Sequence, residues 1–316
     1  MTADALTRDR RPVHLRRSWL FLPGADRQDL SAAATCGADV LIQEFEDFTV
    51  PERRREARQL CEEIFTAWRS AGRLAAARIN PLESADGPQD LRAVMAGRPD
   101  IVLLPKCDRA AQVARLDGAI EALEKQLDLP RGRIEIVPNI ESARGLVAAA
   151  DIATASPRVT ALLLASEDMA ADLDAERNPG GSELDYVRQR FRLECAAAGV
   201  TAIDCPYTFA DIEGLRRETR QARQWGFKAK SLVTPAHASV INEELTPDRR
   251  SIEKARRVLT AFDAARIGGA ERASVDGHAV ELPTANAARR LIARANAFDA
   301  WDSRFSAPPS DAPKRG

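Results

Sequence analysis

The chain has 316 residues, 45% of them apolar, with 46 basic against 47 acidic side chains and a formal charge of −1. That length buries a substantial core, and the balanced charge excludes nonspecific nucleic-acid binding, which needs a strongly cationic face. No apolar run approaches the ~18 residues of a membrane span.

The first fifteen residues are polar and charged, with no continuous apolar segment, so a flexible N-terminus and a cytoplasmic protein are expected. Five cysteines, Cys36, Cys61, Cys107, Cys195 and Cys205, are scattered without CxxC spacing and read as reduced packing residues. Short apolar runs then recur: WLFLP at 19–23, VLIQEF at 40–45, LAAARI at 74–79 and IVLLP at 101–105. IEIVP at 134–138, VTALLL at 159–164, VTAID at 200–204 and KAKSLV at 228–233 follow. Runs of this length bounded by turn signals suit strands covered on both faces of a parallel sheet.

Helical spacing fills the gaps. Ala57, Leu60, Cys61, Ile64, Phe65 and Trp68 recur at i, i+3, i+4, i+7, as do Val113, Leu116, Ile120, Leu123 and Leu127. Thr246-Pro247 reads as an N-cap with proline at the first helical position, opening a helix to about Ala265. Eight strands alternating with helices predict an α/β fold, a (β/α)8 TIM barrel over 16–245. A doubly wound sheet is the alternative, but neither GxGxxG nor GxxxxGK[ST] occurs. Residues 246–302 form a C-terminal extension with a hairpin turn at Asp276-Gly277 and a helix over about 283–299, and the tail 303–316 is expected to be disordered.

Charged residues fall at the predicted strand ends, which converge on the C-terminal mouth where barrel active sites sit. Glu46 and Asp47 follow strand 2, Arg78 ends strand 3, and Lys106 follows strand 4. Glu141 lies beyond strand 5, Glu167 and Asp168 beyond strand 6, Asp204 ends strand 7 and Thr234 follows strand 8. Glu141 and Asp168 are the leading metal pair, and carboxylates favour a hard cation such as Mg²⁺. With three histidines only, His14, His237 and His278, a histidine-rich zinc site is excluded. Arg78 puts a permanent charge on an apolar strand, so it must face a carboxylate, Glu44 or Glu46, or an anionic substrate. His237, two residues after Pro235 at a helix start, reads as a surface or cap residue with catalysis as the lesser alternative.

Nine motifs in chain order carry a resemblance. RRSWLFLPG at 16–24 looks like a family's opening strand, GADVLIQEFED at 37–47 resembles GADVVILDLED, ARIN at 77–80 resembles VRVN, and LLPK at 103–106 matches LPK. PNIESARG at 138–145 resembles PLIETARG and SEDMAADL at 166–173 resembles AEDLAADLG; AIDCPY, GFKAKSLVTPAHASVINEELTP and DGHAVELP follow in order. From about Arg16 to Asp299 the chain resembles the citrate lyase β-subunit-like branch of the HpcH/HpaI aldolase superfamily, which includes malyl-CoA lyases.

The resemblance implies a Mg²⁺-dependent carbon–carbon lyase that splits a 3-hydroxy-acyl-CoA into an acyl-CoA and a 2-oxo acid, or joins them. It implies Glu141 and Asp168 as metal ligands and Arg78 as the enolate- or carboxylate-binding arginine, with Glu46 beside it in catalysis. Backbone N–H groups at Glu167 and Asp168 would hold the substrate carboxylate. The basic residues assigned to coenzyme A are Arg17 and Lys106. Glu281 matches an acid/base that reaches a neighbouring subunit's site, which implies a homotrimer or a multiple of it. The chain departs from the pattern at Glu44, Ala165-Ser166, Val233-Thr234-Pro235, His237 and Glu281, where the better-known thioester lyases carry Asp. A metal-dependent aldolase on free hydroxy acids, an acyl-CoA thioesterase and an inactive binding subunit are the alternatives.

Overall fold

The computed structural model describes residues 10–306. Eight parallel strands close into a barrel in chain order: β1 Ser18–Pro23, β2 Val40–Glu44, β3 Leu74–Arg78, β4 Ile101–Leu104, β5 Glu135–Ile140, β6 Ala161–Leu164, β7 Thr201–Asp204 and β8 Ala229–Leu232. β1 pairs with β8 as well as with β2, so no edge strand is left. The helices between them are α1 Arg27–Ala32, α2 Arg54–Ser70, α3 Gly87–Ala96, α4 Ala110–Gln126, α5 Ala143–Val147, α6 Ala149–Thr154, α7 Ser166–Asp172, α8 Asp185–Ala198, α9 Ile212–Gln224 and α10 His237–Leu245. This is a (β/α)8 barrel, with strand ends within one or two residues of those read from the sequence.

Each strand buries both faces, which is why its sequence reads as a continuous apolar run. Trp19, Val40, Ile42, Leu103, Val137 and Leu163 fill the interior, while Leu20, Leu41 and Val102 pack outward against helices. All six apolar positions of the α2 stripe, Ala57 to Trp68, are buried against the outer strand faces. Gly24, directly after β1, is required by close approach: a Cβ there would lie 2.3 Å from the Glu44 carbonyl oxygen. Its N–H donates to Thr49 Oγ1 at 2.8 Å, and that hydroxyl donates in turn to the Glu44 carbonyl.

Alternation along β7 corrects one expectation. Ile203 points inward, so Asp204 points outward into the helix layer and away from the mouth. There Arg188 of α8 donates to it at 2.9 and 2.8 Å, Lys230 of β8 at 2.7 Å, and Lys230 also reaches Glu218 of α9 at 2.7 Å. Burial alone would raise the Asp204 carboxyl, but Arg188 and Lys230 outweigh it and hold it below the ordinary carboxylate range. The Arg188 guanidinium lies 4.9 Å from the Trp225 ring centroid. Two cations and two anions thus tie β7 and β8 to their covering helices.

Residues 10–15, expected to be flexible, are packed instead. Arg10 Nε lies 2.8 Å from Asp100, Leu15 is buried, and Val13–Leu15 form a short turn of 3-10 helix. The remainder of the expected flexible start, 1–9, lies outside the described residues.

A second compact unit begins at Thr246. It consists of α11 Arg249–Ile267, an antiparallel hairpin of β9 Ala273–Val275 and β10 His278–Val280, and α12 Leu282–Ser306. The N-cap of α11 is Asp248, whose carboxylate accepts from Ser251 N at 2.7 Å, not Thr246 as the Thr-Pro pair suggested. Asp276 and Gly277 have φ of 51° and 77°, as a two-residue hairpin turn requires. Ala255, Val258, Phe262, Val280, Ala285 and Ala288 form this unit's own core. Helix α12 continues through 303–306, residues expected to be disordered; the rest of that tail, 307–316, lies outside the described residues.

Replacing Lys230 by Met leaves Glu218 without its buried cation and strips Asp204 of one of two. The expected loss is about 3–5 kcal/mol of stability, read from the midpoint of chemical denaturation.

Candidate active site

Arg78 is the last residue of β3, and because Leu74 and Ala76 face the interior, its side chain does too. It is 6% exposed. Its Nε donates to Glu44 Oε1 at 2.9 Å, the residue directly opposite it on β2. Glu44 also accepts from the backbone N–H groups of Glu46, at 2.6 Å, and Phe48, at 2.5 Å. One carboxylate therefore shapes the loop after β2 and fixes the orientation of the guanidinium. The Phe21 and Phe48 ring centroids lie 5.1 and 5.7 Å from the Arg78 guanidinium carbon, which completes its clamp.

The other groups gather around the guanidinium tip. Glu46 Oε2 is 3.5 Å from Nε, Asp47 Oδ2 is 3.9 Å from Nη2, and Glu141 Oε1 is 3.8 Å from Nη1. Lys106, held just past β4 with φ of 49°, places Nζ 2.7 Å from Glu46 Oε1 and 3.6 Å from Asp47. Burial pushes the Glu46 carboxyl above its ordinary value, against the pull of Arg78 and Lys106.

Glu141 follows β5 and is 4% exposed. Neither of its oxygens has a well-formed hydrogen bond among the described residues. Burial raises its carboxyl to about 7; Arg78 opposes that shift, while the negative charges of Glu46 and Asp168 add to it. Asp168 lies in the first turn of α7, half-buried. The mouth therefore holds two cations, Arg78 and Lys106, among five carboxylates: Glu44, Glu46, Asp47, Glu141 and Asp168. The negative excess, with an unbonded carboxylate inside it, fits a hard divalent cation. Among the described residues no three or more His, Cys, Asp or Glu side chains are grouped as a ligand set. Glu141 with Asp168 is a two-carboxylate arrangement, the number Mg²⁺ commonly takes from protein, the rest of its shell being water and substrate oxygens.

Of the residues singled out from the sequence, Arg78, Glu46, Lys106, Glu141 and Asp168 come together. The Glu167 carboxylate accepts from Thr208 at 2.8 Å and Arg177 at 3.1 Å, so its side chain is engaged away from this cluster. Arg17 does not join them. It precedes β1 at the opposite end of the barrel, with Nε and Nη2 2.9 and 3.0 Å from Asp39, and is removed from the coenzyme assignment made for the mouth. Glu281 belongs to the second unit, where it is half-exposed and lies 3.0 Å from Arg272. His237 is buried rather than on the surface, and burial, with the charge of Lys230, lowers its pKa. The sequence reading named Glu44 as one of two partners for Arg78 but not its bonds to the Glu46 and Phe48 amides, and it did not see Phe21 and Phe48 as Arg78's neighbours.

Residues 17–235 match the family model for HpcH/HpaI aldolase/citrate lyase. The chain belongs to the HpcH/HpaI aldolase/citrate lyase family. It is 33% identical over 290 residues to the citrate lyase β subunit of Leuconostoc mesenteroides subsp. cremoris, covering 92% of this chain and 96% of that one. It is 32% identical over 290 residues to a (3S)-malyl-CoA thioesterase of Cereibacter sphaeroides, covering 92% and 98%. The structure of the protein CitE from Mycobacterium tuberculosis, solved with magnesium, acetoacetate and coenzyme A, is similar to it with a TM-score of 0.71 and 30% identity, over 89% of this chain and 98% of that one. Membership in this family makes the chain a metal-dependent lyase. Among the described residues no helix is long and apolar enough to cross a membrane.

The raised Glu141 carboxyl predicts a pH effect of definite sign. The folded state binds this proton more tightly than the unfolded chain, whose value is near 4.5, so the contribution is complete below 4.5 and fades as pH rises to about 7. In metal-free buffer, Glu141→Gln should remove a loss of stability of up to about 3 kcal/mol across that window. Thermal melts of both proteins at several pH values measure it; parallel pH profiles would contradict it.

Proposed function

We propose that this enzyme is a Mg²⁺-dependent carbon–carbon lyase that cleaves a 3-hydroxy-acyl-CoA into an acyl-CoA and a 2-oxo acid, or runs the condensation. The observation that carries the proposal is the buried, unbonded Glu141 carboxylate, 3.8 Å from an Arg78 whose orientation Glu44 fixes. A relative solved with magnesium and coenzyme A supports the choice of metal and coenzyme.

Cleavage requires a proton to leave the C3 hydroxyl as the C2–C3 bond breaks. The bond's electron pair passes to C2 as a thioester enolate, C3 becomes the carbonyl of the 2-oxo acid, and protonation at C2 releases the acyl-CoA. Glu141 and Asp168 would hold the Mg²⁺, which would supply Lewis-acid polarisation to the substrate. Arg78 places a permanent, planar charge beside oxygens that become anionic, and it does so without reorganising, because Nε is already held. Glu46, raised by burial, is the carboxyl at this mouth suited to hold and pass a proton. Lys106, half-exposed beside it, is the basic residue at the mouth available to the coenzyme. Glu281 serves as acid/base in a neighbouring copy within a trimer; a monomer in light scattering would remove that role.

A thioesterase is the second reading, favoured by the 32% identity to a (3S)-malyl-CoA thioesterase. A mass-spectrometric screen separates the two. Acyl-CoAs incubated with glyoxylate, pyruvate or oxaloacetate should give a condensation product with Mg²⁺ and none with EDTA. Free CoA without an adduct would establish the thioesterase, and no reaction on any thioester would point to free hydroxy acids.

Arg78→Lys should lower kcat about 10²–10³-fold, because a point charge does not reproduce the fork held by Glu44. Steady-state kinetics check this, with an unchanged melting temperature excluding misfolding.

A further inference from the structure

Asn139 lies on β5 two residues before Glu141, and Val137, two residues before it, belongs to the barrel interior. The period of two puts all three side chains on the inward face. Hydrogen-bonded register runs from Arg78 to Leu103 to Val137, so Asn139 stands one pleat nearer the mouth than that row and one pleat short of Glu141. It is fully buried, and neither Oδ1 nor Nδ2 has a hydrogen-bond partner among the described residues.

A buried amide with both ends unpaired loses its hydration with nothing in return, and such groups call for a specific explanation. Gln43 shows the contrast: it too is buried with an unpaired Oε1, but its Nε2 donates to the carbonyls of Gly24 and Ala57 on the outer face of the barrel. Asn139 has no such backbone anchor. It points into the same space as Glu141, from below.

We propose that Asn139 determines specificity: its amide hydrogen-bonds a polar substituent, hydroxyl or carboxylate, on the 2-oxo acid half of the substrate at the buried end of the site. This rests on the lyase reading above. A primary amide offers both a donor and an acceptor, so either substituent finds a partner, whereas a methyl group leaves the amide unpaired. The position selects against pyruvate-like substrates and in favour of substituted ones.

The test is calorimetric binding of pyruvate, hydroxypyruvate and oxaloacetate, each with Mg²⁺, to the full-length protein and to Asn139→Leu, a change that keeps the branching and removes both polar ends. The wild type should bind hydroxypyruvate or oxaloacetate at least about tenfold more tightly than pyruvate, and the variant should bring that ratio close to one. Pyruvate affinity should be unchanged, and the melting temperature unchanged or raised, since an unpaired amide is gone. Asn139→Ala gives the same ratio test should the leucine variant fail to fold. Equal ratios in wild type and variant, or a wild type that shows no preference, would overturn the specificity role while leaving the lyase reading intact. A wild type that binds none of the three with Mg²⁺ would overturn both.

Discussion

A guanidinium carries its charge at every physiological pH, and Arg78 carries it into the end of a closed barrel. That placement needs compensating anions in fixed positions, and the rest of the mouth is arranged around this need. Glu44 meets Nε from the adjacent strand and uses its remaining acceptor capacity on the loop behind it. Glu46, Asp47 and Glu141 approach at 3.5–3.9 Å, attracted but not hydrogen-bonded. The guanidinium is thus immobilised at one end, while the other end faces carboxylates held too far away to saturate it. On the proposed function, an anionic substrate would pair with Arg78 and a divalent cation with Glu141 and Asp168.

The scaffold transmits precision to the site through short range. Gly24, possible only as glycine against the Glu44 carbonyl, lets the β1 end pack onto β2, and Thr49 closes the loop over the same carbonyl. On the far side of the barrel the Asp204, Lys230, Arg188 and Glu218 network locks β7 and β8 to α8 and α9. Charges recur in both places, with opposite consequences. The outer network is neutral and joined by direct ion pairs, which ties the wall together; the inner one is left anionic with a carboxylate that lacks a hydrogen bond, which makes it receptive.

Most of the fold is legible in the sequence because a doubly covered parallel strand can be written only as an apolar run, and α2 carries its stripe without interruption from Ala57 to Trp68. Arg78, Glu141 and Asp168 are legible for the converse reason: a charge at the end of such a run is conspicuous. Asp204 was equally conspicuous, and strand parity distinguishes it, since an inward Ile203 forces its neighbour outward. Arg17 precedes a strand instead of following one, and that order alone assigns it to the opposite end of the barrel. Which of Glu44 and Glu46 holds Arg78 depends on the β2–β3 register, which sets Glu44 opposite Arg78, and the sequence alone does not supply that register. The N-cap at Asp248 defeated a reasonable Thr-Pro signal because the aspartate side chain reaches Ser251 N.

The central claim is that Glu141 and Asp168 hold a divalent metal at this mouth. Electron paramagnetic resonance of Mn²⁺, titrated into the wild type, Glu141→Ala and Asp168→Ala at pH 8, tests it without reference to any substrate. The account predicts a bound-Mn²⁺ signal in the wild type that competes with Mg²⁺ and is lost in both variants while their barrels stay folded. Undiminished Mn²⁺ binding in either variant would contradict it.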